Sequence, residues 1–281
     1  MVATRARSGD QLNNMTINRD LLHKILSVMR PQKYFTFVSC IAGSLIAEPS
    51  SNPFSVALKL CLFFVSFAVL TYTGIYLLND LADYSNDRYH PVKRKRPIAS
   101  GKLSKRTGAI LAVILILSGI GIAFAVDSRL PLISLSFVLI NIAYSWWLKR
   151  IRYVDLLMNS VTHPLRVLAG VVLFGELGWA GVPAALCIGS FFLGTNSLKR
   201  HLEIVTGGAA QRPVLRHYTA RGLRTVIFAV IPCFPILLIA STSWIEFGFV
   251  ALVAISYTIV MWAYWAGPEC TRKVVHFGLT H

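Results

Sequence analysis

The sequence predicts an all-α polytopic membrane protein, a helix bundle, on three observations. Hydrophobic residues make up 55% of the 281 positions and charged residues 14%, with a mean hydropathy of +0.60; soluble domains carry about 25% charge. The apolar residues gather into eight stretches, most within the roughly 17 to 25 residues that cross a bilayer as a helix. The basic residues are lopsided: of 28 Lys and Arg, all but Lys59, Arg129 and Arg166 fall in alternate connections or at the termini. By the positive-inside rule both termini and those loops face the cytoplasm of a multi-pass inner-membrane protein. EPSSNP, FGELGWAG and STSWIE face the other side.

Taken in order, the first segment carries no apolar core followed by a cleavage site, so it is not a cleaved signal peptide. Residues 17 to 30, INRDLLHKILSVMR, place Leu21, Leu22, Ile25, Leu26 and Met29 on one helical face, as in a helix lying on the membrane surface. Residues 1–33 thus form an N-terminal cytoplasmic segment. The membrane domain, 34–266, holds spans near 34 to 49, 54 to 79, 107 to 126, 130 to 147, 154 to 174, 180 to 198, 224 to 241 and 245 to 265, and 267–281 is a cytoplasmic tail. The first span is short. Trp146, Trp147, Trp179, Trp244, Trp262 and Trp265 fall at span ends, where indole rings anchor to the interface. Cys40, Cys61, Cys187, Cys233 and Cys270 form no metal or redox spacing and read as free thiols.

A net charge of +16 calls for anionic partners. Because the cations lie in short clusters between apolar runs and form no domain of their own, lipid headgroups and phosphorylated substrates fit better than nucleic acid.

The densest chemistry sits where the second span meets water. NDLADYSND, Asn79 to Asp87, runs into the basic stretch HPVKRKRPIASGK. At about 100° per residue, Asp80, Asp83 and Asp87 fall within roughly 60° of one another on one helical face. Three unscreened carboxylates repel, and the chain has only 12 acidic residues. A divalent cation relieves the repulsion, and oxygen-only ligation beside phosphate-binding cations favours Mg²⁺. The competing reading is a solvated acidic helix end beside a basic loop.

This NDxxDxxxD pattern, followed by K-R-x-R-P-I-A-x-G, resembles the UbiA superfamily of intramembrane prenyltransferases over about residues 25 to 265. The resemblance implies eight or nine transmembrane helices, with cytoplasmic loops capping the active site. It also implies a choice of chemistry. Aromatic prenyltransferases of the superfamily carry a second aspartate-rich motif after the sixth helix, whereas SLKRHLEIVTGGAAQRPVLRHYTARGLR holds no aspartate. Glu203 is its only acid, accompanied by Lys199, Arg200, Arg212, Arg216 and Tyr218. Such a loop binds phosphate through cations more than through a second metal.

That loop is similar to the polyprenyl-phosphate phosphoribosyltransferase branch, typified by the decaprenyl-phosphate enzymes of arabinan precursor synthesis. The shared features are K-R-x-x-E (Lys199, Arg200, Glu203), R-x-x-L-x-x-Y (Arg212, Leu215, Tyr218), a Tyr-to-Lys pair (Tyr144, Lys149), and a fifth helix with Asp155 near its start and Arg166 in LRVLAG. RPQKYFTF departs from the branch's R-P-x-Q-W-x-K-N, keeping only Arg30 and Pro31 of its marked positions. The resemblance implies Mg²⁺-dependent transfer of 5-phosphoribose from 5-phosphoribosyl diphosphate to a polyprenyl phosphate. Asp80, Asp83 and Asp87 would hold the metal; Asn79, Lys93, Arg94, Arg96, Lys149, Lys199 and Arg200 would hold substrate.

Arg166 stands apart because a charge deep in a span costs about 2.5 to 3.5 kcal/mol on insertion scales. It requires a partner, either a substrate phosphate or an acid such as Asp155 or Glu176. Pro164 loosens the helix beside it. His163 reads as a packing residue, and Lys95, Lys102, Lys105, Arg106 and Arg152 as topology signals. Two other functions remain in view: an aromatic polyprenyltransferase using polyprenyl diphosphate, and a non-catalytic transporter or scaffold.

Overall fold

The computed structural model describes residues 28–48, 52–176, 178–205, 213–267 and 270–271. Every regular element among them is helical. A helical turn Pro31–Tyr34 and a 3-10 turn Phe35–Phe37 lead into α1 (Val38–Ile46). There follow α2 (Pro53–Ala82), α3 (Lys105–Val126), α4 (Leu130–Trp146), α5 (Val154–Phe174), α6 (Val182–Val205), α7 (Ala220–Ile239) and α8 (Trp244–Trp265). The eight expected stretches are therefore all helical. Five of them, α2, α3, α5, α7 and α8, are long and apolar enough to cross a membrane. Of the rest, α4 is apolar but has 17 residues, α1 has nine, and α6 carries Asn196, Lys199, Arg200, His201 and Glu203 in its second half. The expected surface helix over 17 to 30 lies outside the described residues except for its last three.

Local chemistry sets the helix ends. Asn52 and Ser104 accept a backbone N–H at the starts of α2 and α3, each satisfying a donor that the helix leaves unpaired. At the end remote from the aspartate motif, Glu246 is fully buried and accepts from Thr242 N and Oγ1, both at 2.8 Å, and from Ala184 N at 3.2 Å. One carboxylate thereby ties the starts of α6 and α8 together. At the same end Arg129 donates to the carbonyls of Val172 and Gly175, both at 2.9 Å, a cation on the C-terminus of α5.

Two apolar clusters share α5 as a common wall. Cys40, Phe63, Phe67, Tyr72, Phe137 and Val172 join α1, α2, α4 and α5, while Val167, Ile188, Ile227, Phe234 and Tyr257 join α5 to α6, α7 and α8. Helix α5 is accordingly the most enclosed of the long helices. Its contact with α1 depends on two glycines: a Cβ on Gly170 would stand 1.9 Å from Cys40 O, and one on Gly43 2.0 Å from Val167 O. Small residues let the two backbones touch.

Helix α2 contains a π-helical stretch, Phe64–Thr71, a wider turn that shifts the phase of everything after it. The Thr71 hydroxyl donates to Ser66 O at 2.9 Å, and Ser66 Oγ donates to Gly119 O of α3 at 2.7 Å. Beyond this stretch Tyr72, Tyr76 and Asp80, spaced four apart, lie on one face.

Candidate active site

The aspartate motif ends α2 and the basic stretch folds back over it. Helix α2 stops at Ala82; Asp83 caps it, and a separate turn Tyr84–Asp87 carries the third aspartate. Asp80 is 5% and Asp87 1% exposed, so both need cations close by. Arg30 donates through one nitrogen to both oxygens of Asp80 at 2.7 Å. Arg96 Nη1 lies 3.0 Å from Asp80 Oδ1 and 2.6 Å from Asp87 Oδ2, bringing these carboxylates within 5.6 Å of each other. Lys93 Nζ is 3.9 Å from Asp87. Asp83 turns elsewhere and accepts from Lys149. Asn79 accepts from Ser145 of α4 at 3.2 Å.

The shared helical face expected for the three aspartates therefore divides into a pair and a single. Among the described residues no three acidic, histidine or cysteine side chains gather closely enough to hold a metal ion. The donor set nevertheless suits a hard cation. Asp80 and Asp87 offer only oxygen, and the Arg96 guanidinium already occupies a cationic position between them, so hard-cation ligation by this pair is chemically apt.

A second cluster lies beside the first, across the segment Leu148–Arg150, which packs against α4, α5 and the turn Pro213–His217. Asp155, 1% exposed, accepts from the Tyr218 hydroxyl and, at 3.4 Å, from Arg200 Nε and Nη2. Arg200 also reaches Glu203 at 3.4 Å. Tyr218 in turn accepts from the Tyr153 N–H at 2.7 Å. Burial, reinforced by the bond to Asp155, pushes the Tyr218 phenol above its ordinary value of 10.0. Lys199 and Tyr144 are half-buried neighbours of Arg200 and Ser145 in sequence, Arg94 is exposed, and Arg212 lies outside the described residues.

Deeper in the bundle Arg166, 5% exposed, meets neither Asp155 nor Glu176. Its Nε donates to the Tyr72 hydroxyl, and its guanidinium carbon sits 5.3 and 5.2 Å from the Tyr72 and Phe137 ring centres. Of the two partners expected, phosphate or acid, the acid is not found, and cation-π contact meets the charge instead. Its Nη1 is buried without a partner. His163 stacks on Phe192, in keeping with a packing role. Three participants had no site role in the sequence reading: Arg30, Tyr72 and Tyr153. Only Arg30 left a signal, as a cation immediately before Pro31 at the entry to the first span.

Comparison with known proteins fits this architecture. The model of the UbiA prenyltransferase family matches residues 36–274. Decaprenyl-phosphate phosphoribosyltransferase of Mycolicibacterium smegmatis is 28% identical over 218 residues, covering 74% of this chain and 66% of that protein. An uncharacterized protein, y4nM, of Sinorhizobium fredii is 31% identical over 153 residues, 54% of this chain and 29% of its own length. The chain thus spans just under two thirds of the first relative and under a third of the second. Among solved structures, a UbiA homolog from Archaeoglobus fulgidus bound to GPP and Mg²⁺ superposes with a TM-score of 0.69 at 16% identity, covering 85% of this chain and 86% of that one. With the family model spanning nearly the whole helical bundle, the chain is an integral membrane protein that belongs to the UbiA prenyltransferase family.

Proposed function

We propose that the protein transfers 5-phosphoribose from 5-phosphoribosyl diphosphate to a polyprenyl phosphate, giving polyprenyl-phosphoryl-5-phosphoribose and pyrophosphate. The observation that carries this reading is the second cluster. Where a second aspartate-rich metal site would serve a prenyl diphosphate, this chain sets Arg200 between Asp155 and Glu203, with Tyr218 on the same carboxylate. A cationic, hydroxyl-bearing site of this kind suits a sugar phosphate. The phosphoribosyltransferase relative supports the same choice.

In this reading Asp80 and Asp87, joined by Asp83 on its release from Lys149, would hold Mg²⁺, which when bound would neutralise charge on the departing pyrophosphate. Lys93 and Arg96, freed from the carboxylates, and the exposed Arg94 turn to the diphosphate oxygens. Arg200 and Lys199 clamp donor phosphate, and Glu203 accepts from ribose hydroxyls. Bond breaking at the anomeric carbon leaves oxocarbenium character on the ribose. The acceptor phosphate is already anionic at neutral pH, so the residues orient it without having to remove a proton. Asn79, Tyr144 and Lys149 contribute further substrate contacts, and Arg166 supplies a cation deeper in the bundle. In this reading the chemistry faces the cytoplasmic side of the inner membrane, the side that the positive-inside rule favours for the basic loops.

Titration of the purified protein with 5-phosphoribosyl diphosphate and Mg²⁺, without lipid, tests the reading. Saturable binding that pyrophosphate competes away and Asp80→Asn abolishes is expected. Binding of polyprenyl diphosphate with no binding of the phosphoribosyl donor would move the protein to the aromatic prenyltransferase class.

A further inference from the structure

Among the described residues, the cations that meet the aspartate motif outnumber its carboxylates. Arg30, Arg96, Lys93 and Lys149 face Asp80, Asp87 and Asp83, four positive charges against three negative. Both oxygens of Asp80 are contacted by Arg30 at 2.7 Å and Oδ2 of Asp87 by Arg96 at 2.6 Å, while Oδ1 of Asp87 lies 3.9 Å from Lys93. The cations also lie outermost. The Arg30 and Arg96 side chains are 19% and 22% exposed, those of Asp80 and Asp87 6% and 2%. We infer that Arg30 and Arg96 are placeholders on the carboxylates, drawn off by a diphosphate, so that a divalent cation enters together with the diphosphate and not ahead of it. The inference rests on the metal assignment proposed above and adds to it the order of binding. It holds for any diphosphate, whatever group that diphosphate carries.

A free divalent cation approaching this cluster meets a surplus of positive charge and oxygens already taken. Mg²⁺ gives up its waters reluctantly and is bound through one or two carboxylates plus substrate phosphates, so carboxylates behind a layer of guanidinium groups offer it little. A diphosphate changes the balance twice over. Its oxygens suit the forked donors of Arg30 and Arg96, which uncovers Asp80 and Asp87, and its own charge offsets the surplus cation. Carboxylate and diphosphate oxygens are then both open to the metal.

Both arginines are placed for the exchange. The Arg30 guanidinium carbon sits 4.6 Å from the Tyr76 ring centre, a neutral support that persists when Asp80 is withdrawn. Arg30 therefore stays beside the site after losing its acid. Arg96 Nη1 touches Asp80 at 3.0 Å and Asp87 at 2.6 Å, so one departure uncovers an oxygen of each. The second cluster is built otherwise: the Arg200 side chain is only 7% exposed and meets Asp155 and Glu203 at 3.4 Å, with no outer layer of cations over its acids.

The experiment is equilibrium dialysis of the full-length protein, in phosphatidylcholine nanodiscs, against radiolabelled Mn²⁺ and pyrophosphate at fixed free Mn²⁺, counting both on the protein. Wild type should bind Mn²⁺ at least about tenfold more tightly with pyrophosphate than without, and Mn²⁺ should tighten pyrophosphate by the same factor, as linkage requires. Arg30→Gln and Arg96→Gln should each tighten Mn²⁺ alone at least about tenfold, because a like charge beside the metal is removed. Lys102→Gln, on the exposed part of the basic loop, should change neither constant. The wild-type comparison needs no substitution and decides the order even if an arginine variant does not fold. Equal Mn²⁺ binding with and without pyrophosphate, or arginine variants that bind Mn²⁺ alone no better than wild type, would overturn the placeholder role while leaving the metal assignment and phosphoribosyl transfer intact. No Mn²⁺ on wild type or variants under either condition would overturn the inference together with the metal assignment.

Discussion

Arg30 and Asp80, fifty positions apart in sequence, form a two-pronged ion pair in which one guanidinium nitrogen lies 2.7 Å from both carboxylate oxygens. The same guanidinium sits 4.6 Å from the Tyr76 ring centre, one turn below Asp80 on α2. The entry to the first span is thereby bolted to the aspartate motif at the end of the second.

Breaking that pair from one side should be costly. One-sided removal in a buried pair costs about 3 to 5 kcal/mol, and with the Arg30 side chain 19% exposed the lower end is expected. Thermal unfolding of Arg30→Gln, Asp80→Asn and the double variant in detergent should show that the double loses less than the sum of the singles. Strict additivity would mean the pair contributes nothing to stability.

Activity should require a divalent cation. Asp80→Asn and Asp83→Asn should leave the protein folded yet reduce turnover at least about a hundredfold, the scale of losing an electrostatic stabiliser. Undiminished turnover of wild type in excess EDTA would end the metal assignment.

Tyr218 gives the protein an alkaline sensitivity. Its phenol ionises less readily folded than unfolded, chiefly through burial and then through the bond to Asp155. Its contribution is fully present below pH about 10 and is lost as pH rises above that value toward the raised folded pKa. Unfolding midpoints measured from pH 8 to 11 should therefore fall more steeply for wild type than for Tyr218→Phe. Parallel curves would show that the phenol is not held this way.

Gly170→Ala should prevent close packing of α1 on α5. The added methyl would meet Cys40 O at 1.9 Å, a backbone atom that cannot rotate aside, so a loss of at least about 1 to 3 kcal/mol is expected. Gly121→Ala, where a Cβ meets nothing within 4 Å, is the matched control in α3. Equal melting temperatures for the two variants would contradict the close approach.

The helices were legible in the sequence because each buries an apolar run long enough to stand out. The aspartate motif was legible because acids are scarce in this chain. What the sequence hid was long-range pairing. Nothing near Arg166 in sequence points to Tyr72, 94 positions away, and the acid weighed as an alternative to a substrate phosphate is engaged elsewhere, Asp155 pairing with Arg200 and Tyr218. The division of the aspartates was hidden for a similar reason. An ideal helix carries all three on one face, but the chain leaves α2 after Ala82 and Asp83 turns to Lys149, a residue of the loop after α4. The π-helical stretch that sets the phase of Tyr72, Tyr76 and Asp80 has no signature in an uninterrupted apolar run.

The most direct test offers the purified protein Mg²⁺ and two substrate pairs in parallel: polyprenyl phosphate with 5-phosphoribosyl diphosphate labelled in the ribose, and polyprenyl diphosphate with labelled 4-hydroxybenzoate. Phosphoribosyl transfer predicts that label enters the lipid phase from the first pair, with pyrophosphate released in equal amount, and that the second pair gives none. Label in lipid from the second pair alone would contradict it.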